Sequence, residues 1–233
     1  MIKLKNVSKL VHNNEILSNI TLQVEDKDRI GIVGLHGSGK TILMEILAGE
    51  IKPSSGEVYF DVDKRKIAYI PQVPKFPPYL KVKEILNLTS LEHFETIDLE
   101  KDKKVKDLSL EEKKKLSFYL YLPYSPKCLL IDDFTPGLKE IVKNFNGCVV
   151  ISHHNLRDIW EFINDVIILF KGKIVFYDKK EKLLYKVVLY RSNEGIKEIW
   201  QREEEEENIE KDKIVEIRKV TPDEVFLHFY SRT

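Results

Sequence analysis

The segment from which this sequence is best understood runs Gly34-Leu35-His36-Gly37-Ser38-Gly39-Lys40-Thr41. It fits the pattern Gly-x-x-x-x-Gly-Lys-Ser/Thr, in which glycines permit a tight turn and successive backbone N–H groups face the oxygens of a nucleotide phosphate. In this pattern the lysine, Lys40, contacts the β- and γ-phosphates, and the hydroxyl of Thr41 ligates Mg²⁺. Residues 29–33 are typical of a buried strand, and residues 41–48 of an amphipathic helix. The sequence therefore predicts a nucleotide-binding loop between a strand and a helix.

The composition restricts the class of protein. The 233 residues are enough for one large α/β domain with a small appendage, and a hydrophobic content of 42% allows a sizeable core. A formal net charge of zero argues against nucleic acid as the main partner. Cys128 and Cys148 lie in apolar runs, which predicts buried, reduced thiols in a cytosolic protein. Because no apolar run is as long as a membrane span and no signal peptide is recognisable, we expect another chain to supply any membrane-spanning part.

Strand-like and helix-like segments alternate as far as about residue 180, and this alternation predicts a doubly wound sheet. The predicted strands are 2–4, 15–24, 57–60, 66–70, 128–131, 148–151, 166–170 and 174–177. The predicted helices are 82–88, 112–122 and 158–163. The proline-rich segment 71–79 is predicted to be a loop.

The sequence changes character after Asp178. Residues 186–190 and 213–219 are strand-like, and residues 221–230 are helix-like with Thr221 as the cap. The glutamate run at 203–207 is more typical of a solvated segment than of an acidic interaction tail. Together these segments predict a small C-terminal extension.

A second motif of the nucleotide-binding kind lies at residues 128–133, Cys-Leu-Leu-Ile-Asp-Asp. Four apolar residues bring Asp132 to the carboxyl edge of a sheet, where ligands bind in folds of this class. Next to a phosphate loop, a carboxylate in this position can hold Mg²⁺ directly or through water. The two motifs together predict a nucleotide and Mg²⁺ as the bound groups.

Several segments resemble, in family order, the motifs of the ATP-binding subunit of an ABC transporter. The similar segments are 51–58 after the first nucleotide helix, 68–72 at the glutamine loop, 129–133 at the Walker B strand, 151–153 at the switch histidine and 171–175 at the following hairpin. They cover about residues 1–180, and the short tail at 220–227 is similar to the end of ATPases that serve exporters of drugs, lipids or polysaccharides.

This resemblance implies an α/β P-loop NTPase fold. An ABC-type ATP-binding domain would span residues 1–180, with an antiparallel β subdomain and a short helical subdomain at about 73–125. Residues 181–233 would form a small α+β C-terminal extension.

The resemblance also implies roles for single residues. Gln72 would contact Mg²⁺ and the attacking water and sense a membrane partner. Asp132 would bind Mg²⁺, and Asp133 occupies the position where the family usually carries a glutamate general base. His153 would contact the γ-phosphate, and we assign this role to it rather than to the adjacent His154 because of the strand that precedes it.

The predicted nucleotide-binding residues are those of the loop, the helix start, the adenine position and the signature serine. They are Gly34, Leu35, His36, Gly37, Ser38, Gly39, Lys40, Thr41, Ile42, Val11 and Ser109. The predicted metal ligands are Thr41, Gln72 and Asp132, and the predicted catalytic residues are Asp133, His153 and Gln72.

Four departures from the family pattern indicate a degenerate subunit. The signature Leu-Ser-Gly-Gly-Gln is Leu-Ser-Leu-Glu-Glu at 108–112, which keeps Ser109 but loses both glycines and adds negative charge near a phosphate. Asp133 is one methylene shorter than the usual glutamate. Lys139 replaces an aspartate in the loop after Walker B, and Val11 occupies the position of the aromatic residue that stacks on adenine.

We therefore expect an ATP-binding subunit that hydrolyses ATP to drive export through separate membrane subunits, at the inner face of the cell membrane. It would pair with a second ABC ATPase subunit, and the departures favour a heterodimer with a more standard one. The alternative is a nucleotide-switched regulatory or non-transport ABC protein with little ATPase activity. A GTPase is disfavoured because the sequence contains no Asn-Lys or Thr-Lys pair to begin a guanine-binding motif.

Overall fold

The computed structural model describes residues 1–89, 97–192, 195–202, 209 and 213–231 of the chain. The strands are β1 (Ile2–Val11), β2 (Asn14–Val24), β3 (Arg29–Val33), β4 (Ser55–Phe60), β5 (Ile67–Ile70), β6 (Cys128–Ile131), β7 (Cys148–His153), β8 (Asp165–Phe170), β9 (Lys173–Lys179), β10 (Tyr185–Ser192), β11 (Gly195–Arg202) and β12 (Ile214–Lys219). The α-helices are α1 (Lys40–Ala48), α2 (Val82–Leu86), α3 (Leu110–Tyr119), α4 (Lys139–Asn144) and α5 (Pro222–Ser231). The glutamate run at 203–207 lies outside the described residues.

A six-stranded sheet forms the centre of the fold, with the strand order β5-β6-β7-β3-β8-β9. Neighbouring strands from β5 to β8 run parallel, and β9 pairs antiparallel with β8. β6 and β7 consist of buried residues only, as expected for strands that are covered on both faces. This architecture confirms the predicted α/β class. Because parallel strands end at the same edge, the loops after β3, β5, β6 and β7 meet on one side of the sheet.

Both faces of the central sheet are covered by apolar layers. On one face, Leu43, Met44 and Leu47 of α1 pack in one core with Ile32 and with residues of the antiparallel sheet β2-β1-β4. On the other face, residues of α3, α4 and the 3₁₀ turn at Arg157–Phe162 form a second core. Each fully buried leucine or methionine stabilises the fold by about 1.5–3 kcal/mol relative to an exposed one. The two cores therefore hold the carboxyl edge of the sheet as a rigid platform.

A third, smaller core is formed by α2, α3 and the segments around them, which lie between β5 and β6 in the sequence. It is formed by the buried residues Val82, Ile85, Leu86, Ile97, Val105, Leu108 and Leu116. The helices are short, as the sequence predicts, with α2 spanning only five residues. We refer to this unit, at about residues 73–125, as the helical subdomain.

The C-terminal part of the chain forms a sheet of order β11-β10-β12 followed by α5. Thr221 caps α5 as predicted: its Oγ1 accepts the Glu224 N–H at 3.4 Å, and the Glu224 carboxylate accepts the Thr221 N–H at 2.8 Å. The Asp223 carboxylate accepts the Leu156 N–H at 3.0 Å. This contact attaches α5 to the segment that follows β7.

The sequence-based element assignments differ from the structure in four main places. β1 extends from Ile2 to Val11, where only residues 2–4 were predicted as a strand, because it pairs with β2 as far as Val11. Residues Arg157–Phe162 form a 3₁₀ turn instead of the predicted α-helix. A 3₁₀ helix rises about 2.0 Å per residue against about 1.5 Å in an α-helix, so six residues span more of the return path from β7 to β8. β11 and α4 were not predicted. Among the described residues, no helix is both long enough and apolar enough to cross a membrane.

Candidate functional site

The loop at residues 34–39 joins β3 to α1 and needs glycine for two physical reasons. Gly39 has φ of 103°, a left-handed backbone conformation that side chains disfavour. At Gly34, a Cβ atom would lie 2.5 Å from the Leu169 carbonyl oxygen. The turn can therefore approach the neighbouring strand closely and direct its backbone toward the start of α1.

Lys40 is the first residue of α1, and its side chain turns back over the loop. The Nζ atom donates hydrogen bonds to the carbonyl oxygens of Gly34 at 2.6 Å and Leu35 at 3.0 Å. Burial lowers the Lys40 pKa, while the charges of Asp132 and Asp133 act in the opposite direction. The lysine is thus a positive charge held beside two carboxylates, at the helix N-terminus where anions bind favourably.

A cavity of about 270 Å³ lies at this edge of the sheet. It is lined by Ile16, His36, Gly37, Gly39, Lys40, Thr41, Ile42, Gln72, Asp132, Asp133 and His154. The structure thus brings together residues from the loops after β3, β5, β6 and β7. The predicted site residues that are not among those lining the cavity are Val11, Gly34, Leu35, Ser38, Ser109 and His153. The roles of all the predicted site residues stay predictions.

Asp132 supplies a carboxylate oxygen that fits a cation. Its side chain is buried, and Oδ1 accepts the hydroxyl proton of Ser152 at 2.5 Å. Oδ2 is also buried but has no hydrogen-bond partner among the described residues. A buried carboxylate oxygen without a partner is costly, so a cation ligand would remove the penalty. The hydroxyl of Thr41 and the amide of Gln72 line the same cavity, and this oxygen donor set is the kind that Mg²⁺ takes.

Asp133 is fixed by contacts from three directions. Its φ of 58° is in the left-handed region, where few residues other than glycine lie. Its N–H donates to Ser152 Oγ at 3.0 Å, and its carbonyl oxygen accepts from the ammonium of Lys114. Gln72 Nε2 donates to Oδ2 at 3.4 Å. The carboxylate is therefore held toward the cavity.

Lys114 contacts both acidic residues of the site and was not among the predicted site residues. It lies on α3 and is fully buried, and its Nζ also donates to the Asp132 carbonyl oxygen at 2.9 Å. Burial lowers the Lys114 pKa, and the nearby charges of Asp133, Asp132 and Glu111 raise it. The helical spacing of Lys114 with the buried residues Ser117 and Phe118 is a signal that would have identified it.

The two histidines after β7 lie beside Asp133. His153 is buried; burial lowers its pKa, while the backbone of Asn155 and the charges of Asp133 and Asp158 oppose this shift. The distances from Asp133 Oδ1 are 3.8 Å to His153 Nε2 and 3.7 Å to His154 Nδ1. His154 is about half exposed and stacks on His36 with ring centroids 5.8 Å apart. Both histidines are therefore within reach of a group bound at Asp133.

The signature segment is used for helix capping and for an internal contact. Ser109 Oγ accepts the Glu112 N–H at 3.2 Å, and the Glu112 carboxylate accepts the Ser109 N–H at 2.7 Å, which forms a capping box at the start of α3. Glu111 accepts the Gly137 N–H at 3.1 Å. The two glutamates that depart from the family signature therefore both have structural partners.

Lys139, the third departure, is the first residue of α4. Its Nζ lies 2.6 Å from a carboxylate oxygen of Glu161, within the 3₁₀ turn that follows the histidines. The ion pair is largely exposed, so solvent screens it and it contributes little to stability. The substitution thus connects the loop after Asp133 to the loop after His153.

Comparisons with known proteins agree with this geometry. A family model described as ABC transporter matches residues 17–136, more than half of the chain. A tyrosine transport ATP-binding protein of Clostridioides difficile is 29% identical over an alignment covering 78% of this chain and 93% of that protein. A lantibiotic transport ATP-binding protein, SrtF of Streptococcus pyogenes, is 27% identical, covering 78% of this chain and 94% of that protein.

Solved structures share the fold. An ATP-binding subunit of an ABC transporter superposes with a TM-score of 0.68 at 18% identity, covering 78% of this chain and 91% of that one. A bacterial ABC transporter cassette solved as a dimer superposes with a TM-score of 0.64 at 23% identity, covering 77% of this chain and 98% of that one.

Proposed function

Since the chain belongs to the ABC transporter family as an ATP-binding subunit, we propose that it binds ATP with Mg²⁺ and uses it to drive export through separate membrane subunits. The observation that carries the proposal is that the loop at 34–41 shares one cavity with Asp132, whose Oδ2 has no hydrogen-bond partner in the part of the chain that the structure describes. Lys40 supplies a positive charge for the β- and γ-phosphates, and the first backbone N–H groups of α1 supply further donors.

Mg²⁺ would be held by the Thr41 hydroxyl and the Asp132 carboxylate, with Gln72 close by. The ion would neutralise charge that develops on the phosphate oxygens during transfer. Asp132 suits this role because Ser152 fixes one of its oxygens, while the other accepts no hydrogen bond from any described residue.

Hydrolysis would depend on Asp133 as the group that orients the attacking water. Its carboxylate is held by Gln72 and lies beside His153, which would contact the γ-phosphate in this proposal. An aspartate reaches less far than a glutamate, so the water would be held less well. General bases contribute about 10²–10⁴-fold, and a misplaced one loses part of that factor.

The degenerate signature supports a heterodimer. In this family a dimer has two composite sites, each formed by the nucleotide loop of one chain and the signature of the other. Here Ser109 is exposed, but where the family has glycine Leu110 places a side chain that is 43% exposed. The next residue, Glu111, has its carboxylate bound to the Gly137 N–H. A more standard partner would supply a glycine-containing signature to the nucleotide loop of this chain.

A groove next to the glutamine loop suits a membrane partner. It has a volume of about 490 Å³ and lies between the helical subdomain and the central sheet. Its walls include the aromatic side chains of Tyr69, Phe76, Tyr121 and Tyr124. We propose that a short cytoplasmic helix of a permease subunit binds there, which would bring this protein to the inner face of the cell membrane.

We expect the isolated chain to bind ATP in the presence of Mg²⁺ and to turn it over slowly, below about 1 s⁻¹, the lower end of the usual enzyme range. A titration with a fluorescent ATP analogue measures binding, and phosphate release measures turnover, with Asp132→Ala as the control that removes the metal ligand. Absence of binding would contradict the nucleotide proposal. Fast turnover by the chain alone would contradict the proposal that it is the degenerate half of a heterodimer. Binding without turnover would favour a nucleotide-switched regulatory protein.

Restoring the family pattern should raise the activity. The triple variant Leu110→Gly, Glu111→Gly, Asp133→Glu is expected to hydrolyse ATP about 10–100-fold faster than the wild-type chain, because it recovers both the signature surface and the longer base. Phosphate release at a chain concentration that allows dimerisation measures the change. The matched control is Leu110→Gly, Glu111→Gly alone, which separates the signature from the base. An unchanged rate in the triple variant, with its fold intact by circular dichroism, would argue against both assignments.

A further inference from the structure

Three potential metal-binding side chains meet at the edge of the cavity, apart from the oxygen ligands assigned to Mg²⁺. They are Asp133, His153 and His154, and one ligand atom from each lies within 4.8 Å of the other two. Asp133 Oδ1 is 3.8 Å from His153 Nε2 and 3.7 Å from His154 Nδ1. Two imidazole nitrogens and a carboxylate oxygen therefore converge on one point.

The spacing of these atoms is close to that of a coordination sphere. Zn²⁺ binds imidazole nitrogen and carboxylate oxygen at about 2.0–2.2 Å in tetrahedral geometry, so two ligand atoms lie about 3.4 Å apart. The two distances from Asp133 Oδ1 exceed this by only a few tenths of an ångström, and the two histidine ligand atoms lie within 4.8 Å of each other.

The local structure orients two of the three ligands. His153 Nδ1 lies 3.0 Å from the Asn155 carbonyl oxygen, and in the tautomer that donates to this oxygen the unprotonated Nε2 is left to bind a metal beside Asp133. Asp133 itself is held through its backbone by Ser152 and Lys114 and through Oδ2 by Gln72. Hydrogen bonds from surrounding residues to the ligand side chains fix the orientation of the ligands at metal sites and raise metal affinity.

The chemistry of the donors separates this cluster from the Mg²⁺ site. Mg²⁺ prefers oxygen ligands and retains water, whereas imidazole nitrogen suits Zn²⁺, Co²⁺, Ni²⁺ and Cu²⁺. With three protein ligands, a tetrahedral ion keeps one position for water or for another oxygen ligand. Asp133 and His154 line the cavity, so that open position would face the space beside Lys40.

We propose that Asp133, His153 and His154 form a binding site for a divalent transition-metal ion of the Zn²⁺ class, with one coordination position open to the cavity. Ion binding does not depend on the proposed function. One consequence does rest on it: a bound ion occupies the carboxylate of Asp133 and the Nε2 of His153, and so withdraws both from ATP hydrolysis.

The direct test uses Co²⁺ as the probe, because tetrahedral Co²⁺ absorbs visible light and reports its own coordination. Tag-free full-length chain would be titrated with Co²⁺ in excess Mg²⁺ and without nucleotide. We expect one Co²⁺ per chain with a tetrahedral absorption band, displaced by Zn²⁺. His154→Gln and Asp133→Asn should each weaken Co²⁺ binding at least about 10-fold, since each removes one ligand.

The matched control is His12→Asn, which removes an exposed histidine at the tip of the β1–β2 hairpin. The change suits that position because the backbone of His12 is left-handed, with φ of 47°, and asparagine tolerates this conformation. The control should bind Co²⁺ as the wild type does. Wild-type chain without a tetrahedral band, or His154→Gln with undiminished affinity, would overturn the proposal.

The ATP titration described above distinguishes the two failures. A chain that binds Co²⁺ but not ATP would leave the metal site standing and reject the proposed function. A chain that binds ATP but not Co²⁺ would reject the metal site and leave the proposed function standing. Circular dichroism of Asp133→Asn checks that a lost band reflects a lost ligand and not an unfolded chain.

Discussion

Replacing Lys40 with alanine is expected to weaken ATP binding by about 10–100-fold and to reduce phosphate release to background. The ammonium lies over the nucleotide loop, with Nζ 2.6 Å from the Gly34 carbonyl oxygen. It also interacts electrostatically with the carboxylates of Asp132 and Asp133. Hydrogen bonds to charged groups contribute about 1.5–3 kcal/mol, which corresponds to this range of affinity. In the variant, the phosphates would also face two carboxylates without the charge that offsets them. A titration with a fluorescent ATP analogue measures the loss.

The control for this experiment is Lys52→Ala, which removes an exposed lysine shortly after α1 and outside the cavity. It should bind ATP as the wild type does. Equal losses in the two variants would mean that general positive charge, and not the position of Lys40, governs binding. An unchanged affinity in Lys40→Ala would contradict the assignment of the loop to the phosphates.

The fold and the centre of the site could be predicted because they depend on local rules. A glycine turn after a buried strand, and a carboxylate after four apolar residues, each specify a backbone arrangement through sterics and strand length. Parallel pairing then brings the turn and Asp132 to one edge of the sheet without further information. For this reason the alternation of strand-like and helix-like segments along the chain was enough to predict the α/β class.

The missed elements depend on pairing partners distant in sequence. In β11, Ile196, Ile199 and Trp200 have the i, i+3, i+4 spacing of a helix, but the segment is a strand because it pairs with β10 along its whole length. The 3₁₀ turn at Arg157–Phe162 was predicted as an α-helix because Ile159 and Phe162 are three apart, a spacing that both helix types place on one face. Six residues give too little periodicity to separate the two.

The contacts of the signature segment could not be predicted from composition. Glu111 and the lysines that follow Glu112 suggest only a charged helix surface in the sequence. In the structure Glu111 is bound to the Gly137 N–H, and one lysine of the three, Lys114, is fully buried. Which of three neighbouring charges faces inward depends on the packing of α3 against the end of β6.

Lys114→Met is the second change for which we expect a large effect. The ammonium of Lys114 donates to the carbonyl oxygens of both Asp132 and Asp133, so methionine would leave two backbone acceptors without their partner. A buried acceptor without a partner costs about 1–3 kcal/mol. Removing the ammonium also removes the cost of burying its charge, which offsets part of this loss. We expect the free energy of unfolding to fall by about 1–3 kcal/mol, measured by urea denaturation.

The effect on hydrolysis should be larger than the effect on ATP binding. Asp133 has a left-handed backbone, which is costly by about 1–3 kcal/mol unless its surroundings hold it. Lys114 is one of those restraints, so its loss should let the Asp133 carboxylate leave the cavity and reduce turnover at least about 10-fold. ATP affinity should change little, because Lys40 and the loop are untouched.

The neighbouring Lys115→Met is the matched control. Lys115 is on the same helix, but its Nζ lies 2.7 Å from the largely exposed Asp98 carboxylate, and such surface pairs are worth at most about 1 kcal/mol. It should leave both turnover and stability near the wild-type values. If Lys114→Met lowered the free energy of unfolding but left the hydrolysis rate per ATP-bound chain unchanged, Lys114 would be a structural lysine only. If it lowered both while Lys115→Met lowered neither, the contact between α3 and the end of β6 would be the link through which the signature helix positions Asp133.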